Sequence, residues 1–68
     1  MTLTRINTDP QIMGGRPCIS GFRVTVSMIV RQLGSGRSVD DLLADYPFLD
    51  REDVLQALLY AARRVSRQ

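Results

Sequence analysis

Tyr46-Pro47-Phe48-Leu49-Asp50-Arg51-Glu52-Asp53-Val54 is the stretch that decides the fold of this 68-residue chain. Proline pushes the residue before it out of helical backbone, so any helix arriving from the N-terminal side must end by Tyr46. Asp50 stands where a helix N-cap belongs. Asp53 follows three residues later to return the bond, and Leu49 is placed to staple onto Val54. Two helices joined by a short turn are therefore the organising unit. Upstream, Ser38 and Asp41 repeat the capping-box pattern, with the shorter Asp at the reciprocal position. Val39, Leu42, Leu43 and Tyr46 then follow at helical spacing. Downstream, the third helix is predicted to run to about Val65, with fraying beyond.

The pattern continues toward the N-terminus. Thr25 is a cap for a first helix with Val26, Ile29, Val30 and Leu33 at i, i+3, i+4 and i+7, and Gly34 is expected to end it. Before it, Thr4 to Ile6 reads as a short strand, Asp9-Pro10 as a turn, and Cys18 to Val24 as a second extended piece broken at Ser20-Gly21. Three glycines and two prolines lie between Asp9 and Val26. They suit a short, tightly turned hairpin, and Gly14-Gly15 lacks the flanking strand, lysine and following helix of a phosphate loop. The expected architecture is a mainly α, trihelical domain in the order of a helix-turn-helix, with a short N-terminal β-hairpin. A single domain spans 1–68, with the hairpin over 1–24 and the three helices over 25–66.

Size and composition narrow the function. A chain this short buries only about 60% of its unfolded surface, so a partner or second copy would add materially to its core. It has no histidine and one cysteine, Cys18, set among apolar neighbours and read as a small buried hydrophobe. No Ser/His or Cys/His pair is present, and no metal, cofactor or catalytic role is expected. Asp40 and Asp41 sit in the first turn of the second helix, and Asp50, Glu52 and Asp53 begin the third. There the helix dipole and the caps account for them without a metal or an acid–base role. The lack of an internal disulfide, a signal-like start and a long apolar run points to the cytoplasm, with no membrane span.

Charge is segregated along the chain. Five arginines against Asp9 give residues 1–38 a balance of +4, residues 39–62 carry −5, and Arg63, Arg64 and Arg67 add +3. Every cation is arginine, which offers planar, bidentate donors to phosphate, carboxylate or base edges. Arginine-rich base composition accounts equally well for that choice. The acidic start of the third helix opposes DNA at the end where a recognition helix meets base edges. DNA contacts are then expected from Arg16 and Arg23 on the hairpin and Arg31 and Arg37 around the end of the first helix. Arg51 and Gln56 would read bases if the neighbouring carboxylates turn into their caps. The alternative for each arginine is a solvated charge or a local salt bridge.

On the third helix, Val54, Ala57, Leu58, Ala61 and Val65 form one stripe, and Leu55, Leu59 and Ala62 widen it to an arc of about 200°, twice what facing one core requires. Either the hairpin covers the excess or another chain does. Leu55, Leu59 and Ala62 are the expected partner or dimer interface, with a homodimer expected.

Asp9-Pro10, Gly14-Gly15-Arg16-Pro17-Cys18-Ile19, Gly21-Phe22-Arg23-Val24 and Tyr46 to Val54 together resemble domain-of-unknown-function family 433. That family's pattern has Asp-Pro, Gly-Gly-x-Pro-x-Ile, Gly-Thr-Arg-aliphatic and Tyr-Pro-x-Leu-x-x-Glu-Asp-Ile. The spacing matches over nearly the whole chain, Tyr60-Ala61-Ala62 resembles the family's ending of the third helix, and Phe22 stands where threonine is usual. The resemblance implies a winged-helix-like DNA-binding fold. It also implies a proposed antitoxin of the VapB type that binds and neutralises a PIN-like ribonuclease toxin and binds its own promoter, double-stranded DNA, as a dimer. The alternative is a protein-interaction module, an adaptor or structural subunit, without DNA binding.

Overall fold

The computed structural model describes residues 3–11, 13–22 and 24–66. Chain order is β1 (Ile6–Asn7), β2 (Cys18–Ile19), α1 (Val26–Gly34), α2 (Val39–Asp45) and α3 (Arg51–Ser66). The two strands pair antiparallel, Ile6 opposite Ile19 and Asn7 opposite Cys18. This is the expected mainly helical domain of three helices with a short two-strand N-terminal hairpin.

Local rules set the helix ends. Thr25 accepts the Met28 N–H at the start of α1. The capping box of α2 is complete, with Ser38 Oγ accepting from Asp41 N–H at 3.0 Å and Asp41 Oδ2 accepting from Ser38 N–H at 3.2 Å. Ahead of Pro47, Tyr46 leaves the helix at φ −124°, ψ 75°. Asp50 and Asp53 exchange reciprocal bonds at the start of α3, both 3.0 Å. Leu49 and Val54, the expected staple, share the core cluster.

Three boundaries differ from the sequence expectation. Gly34 lies inside α1; the left-handed residue is Gly36, at φ +101°, which donates to Leu33 C=O while Arg37 N–H reaches Gln32 C=O. That is a Schellman ending two residues later than Gly34 alone suggests. The first strand is Ile6–Asn7 because Ile6 N–H turns back to Leu3 C=O, drawing Thr4 and Arg5 into a turn. The β1–β2 connection is long, with a 3₁₀ turn at Met13–Gly15. The tight turn comes after β2 instead, where Phe22 N–H bonds Ile19 C=O and Gly21 takes φ +83°.

The core lies where the hairpin and all three helices meet. Ile19, Ile29, Leu42, Val54 and Ala57 are essentially fully enclosed, with Val24, Val26 and Leu49 beside them. Cys18 is buried, its Sγ–H directed at Arg16 C=O, 3.1 Å away. No helix among the described residues is long and apolar enough to cross a membrane.

Candidate protein-interaction surface

α3 organises the surface, and its N-terminal turn is tied to the N-terminal segment. Arg5 N–H donates to Gln56 Oε1 at 2.8 Å. The Arg5 guanidinium reaches Asp50 Oδ1 at 2.5 Å and Asp53 Oδ1 at 3.0 Å. Gln56 Nε2 then donates to Glu52 Oε2 at 3.2 Å. The Arg5 side chain first, and the Asp53 N–H next, hold the Asp50 carboxyl below the usual aspartate range. Asp50, and after it Asp53, raise the Arg5 guanidinium in turn. The acidic start of α3 is thus a closed network of caps and an ion pair spanning 45 residues of sequence.

That network fixes where the candidate DNA-contacting residues stand. Gln56 is buried with both ends of its amide engaged, so it faces the N-terminal segment. Arg51 pairs with Asp40. Arg37 pairs with Asp45 at 2.6 Å and donates to Asp41 C=O at 3.3 Å. The Ser38 N–H, then its hydroxyl, hold Asp41 below its ordinary range. Arg16 and Arg31 are exposed and have no carboxylate partner among the described residues. Arg23 lies outside the described residues. The described members of the set stand on the loop before β2, on α1 and its C-terminal turn, and on α3, and two of the four arginines are spent internally.

The apolar arc of α3 divides in two. Val54 and Ala57 are fully buried, whereas Leu55 is 48% exposed, Leu59 41%, and Ala62 exposed beside them. Spaced i, i+4 and i+7, these three lie within about 60° of one another on the helix. The hairpin packs against the other side of the helix, at Asp53 and Gln56, so it does not cover them.

A feature with no sequence signal is an aromatic contact between turns. Phe22, in the turn after β2, stacks on Phe48, in the α2–α3 turn, with ring centroids 4.7 Å apart. Phe48 in turn sets its edge against Tyr46 at 6.0 Å. Both phenylalanines are partly exposed. Among the described residues, no group of three or more histidine, cysteine or acidic side chains is placed to hold a metal ion.

The domain thus joins three helices and a two-strand hairpin, with the cap carboxylates Asp41, Asp50 and Asp53 hydrogen-bonded internally and the Leu55 and Leu59 side of α3 exposed. The chain belongs to the family described as protein of unknown function (DUF433), whose model matches residues 6–61. It is similar to the uncharacterized protein y4eO of Sinorhizobium fredii (strain NBRC 101917 / NGR234), 36% identical over 56 residues, covering 82% of this chain and 25% of that protein. It also resembles the crystal structure of a DUF433 member from Anabaena variabilis ATCC 29413. There the TM-score is 0.86 at 30% identity, over 93% of this chain and 62% of that one. The chain spans less than two thirds of the length of either relative.

Proposed function

We infer that this domain acts by binding protein, through the exposed Leu55, Leu59 and Ala62 stripe of α3, and without catalysis. The observation that carries the reading is the pair of leucines left about half exposed on one stripe while Val54 and Ala57 on the same helix are fully buried. Fully burying a leucine is worth about 1.5–3 kcal/mol, so each has roughly half of that still to gain from a partner. A second copy presenting the same stripe across a two-fold axis doubles the gain. The specific form of this reading is an antitoxin, in which the same domain holds and neutralises a PIN-like ribonuclease toxin. Co-expression with the product of the adjacent reading frame tests that form. A stable complex with a small PIN-like protein, lost in Leu55→Asp/Leu59→Asp, supports it, and separate elution of the two proteins counts against it.

Promoter binding is a second reading, favoured by Arg16 and Arg31, exposed cations with no carboxylate partner among the described residues. A gel shift on the upstream DNA at low salt tests it. No retardation there removes the DNA reading and leaves the protein-binding one standing.

A further inference from the structure

On the other side of α3 from Leu55 and Leu59, a cleft of about 400 Å³ opens between α1 and the last turns of α3. Val26 and Val30 form one wall, Ala61 and Val65 the other, and Pro17 adds to the apolar lining. Its charged groups are two guanidiniums, Arg16 and Arg64, both exposed and neither paired with a carboxylate among the described residues. Arg64 lies over the Tyr60 ring, 5.9 Å from its centroid, an arrangement that leaves the charge in place. Three arginines are spent on the protein's own carboxylates, Arg5 on Asp50 and Asp53, Arg37 on Asp45 and Arg51 on Asp40. The two at this cleft are not.

We propose that the cleft is a docking groove for a segment of a partner protein that is apolar along one face and carries carboxylates on its flanks. The assignment rests on the protein-binding reading above but uses the opposite side of α3. Apolar walls supply affinity for aliphatic anchors, and the two guanidiniums select the sign of the flanking charge. A segment of protein suits the groove better than a small molecule because Val65, on its wall, is 67% exposed. Small-ligand sites enclose most of their ligand, whereas a peptide helix lays one face in a groove and leaves the other in water.

The test uses three synthetic helical peptides of about 15 residues, long enough to hold some helix in solution. All carry Leu at i, i+3 and i+7, and their flanks are Glu, Gln or Lys. Each is titrated into the isotopically labelled chain and followed by amide NMR, alongside decanoate as a small carboxylate probe. The Glu-flanked peptide binds about tenfold tighter than the Lys-flanked one at low salt, with shifts at Val30, Ala61 and Val65. Arg16→Gln/Arg64→Gln abolishes that preference, and because both side chains are exposed the variant keeps the wild-type circular dichroism. Val65→Asp, also at an exposed position, weakens all three peptides and provides a second check. The titration is repeated in Leu55→Asp/Leu59→Asp, where groove binding persists, so failure of the groove and failure of the leucine stripe are told apart. Equal affinity for Glu and Lys flanks, no binding at millimolar peptide, or shifts centred on Leu55 and Leu59 would each overturn the proposal. So would decanoate saturating the groove more tightly than any peptide.

Discussion

Replacing Gln56 by Met separates a structural amide from a nucleic-acid reader. Gln56 is 8% exposed, and its Oε1 accepts the Arg5 N–H at 2.8 Å, the bond that holds the N-terminal segment on α3. Methionine has nearly the same length and fills the same space, so no cavity term enters, and what is lost is the acceptor for Arg5 N–H together with the Nε2–H bond to Glu52. A fully buried N–H left without a partner costs about 1–3 kcal/mol, and the part-buried Arg5 N–H falls toward the lower end of that range. Marginal stability of roughly 0.05–0.15 kcal/mol per residue gives a chain of this size about 3–10 kcal/mol in total. The loss is therefore a large fraction of the whole, and at about 4–8 °C per kcal/mol it lowers Tm by on the order of 10 °C. Thermal unfolding followed by circular dichroism measures it, with Glu52→Ala, which removes only the partner of Gln56 Nε2, as the control for that second bond. A Gln56→Met protein within about 0.5 kcal/mol of wild type would refute the assignment of the amide to this bond.

Other outcomes follow from the same contacts. Asp41 and Asp50 have lowered folded-state values, so their contribution is complete above the ordinary aspartate value of 3.8 and is lost as pH falls through the lower folded values. Urea midpoints should therefore hold steady down to about pH 5 and fall steeply below pH 4, and Ser38→Ala should shrink that acid-dependent part. Gly36→Ala forces a Cβ into φ +101° and should cost about 1 kcal/mol or more, whereas Gly34→Ala, inside α1, should be neutral or stabilising by about 0.5–1 kcal/mol. Equal effects at the two glycines would contradict the Schellman ending. If DNA is bound, Arg16→Ala/Arg31→Ala should weaken binding on all sequences and flatten the salt dependence by up to about 0.9 per lost phosphate contact, while Arg37→Ala should alter it less because Arg37 is held by Asp45.

The sequence was most legible where the physics is local. The caps at Thr25, Ser38 and Asp50 and the stop at Pro47 all act within one turn of backbone, and each forms as its spacing implies. The end of α1 was less so, because Gly34 and Gly36 are both plausible terminators until the backbone shows which one has positive φ. The strand register and the long β1–β2 connection depend on how three glycines share the turning, which composition does not specify. Contacts between distant segments left no trace at all. Nothing near Arg5 announces that Asp50 and Asp53 wait 45 and 48 residues away, and Phe22 and Phe48 sit in turns with no periodicity to read. The breadth of the apolar arc on α3 was visible from spacing alone, but which edge stays in water follows only from where the hairpin packs. For the same reason Gln56, on the polar side of a helical wheel, lies beneath the N-terminal segment.

The most direct test of the α3 stripe as a contact face is sedimentation velocity over a concentration series, on the wild type and on Leu55→Asp/Leu59→Asp, with circular dichroism on the same samples. The wild type should associate as concentration rises. The variant should stay monomeric with unchanged helicity, because both leucines face water in the single chain and each new carboxylate is desolvated only when a second copy covers it. A wild type that remains monomeric throughout, or a variant that associates as the wild type does, would contradict the stripe as a self-contact, and a variant that loses its helices would contradict the exposure on which it rests.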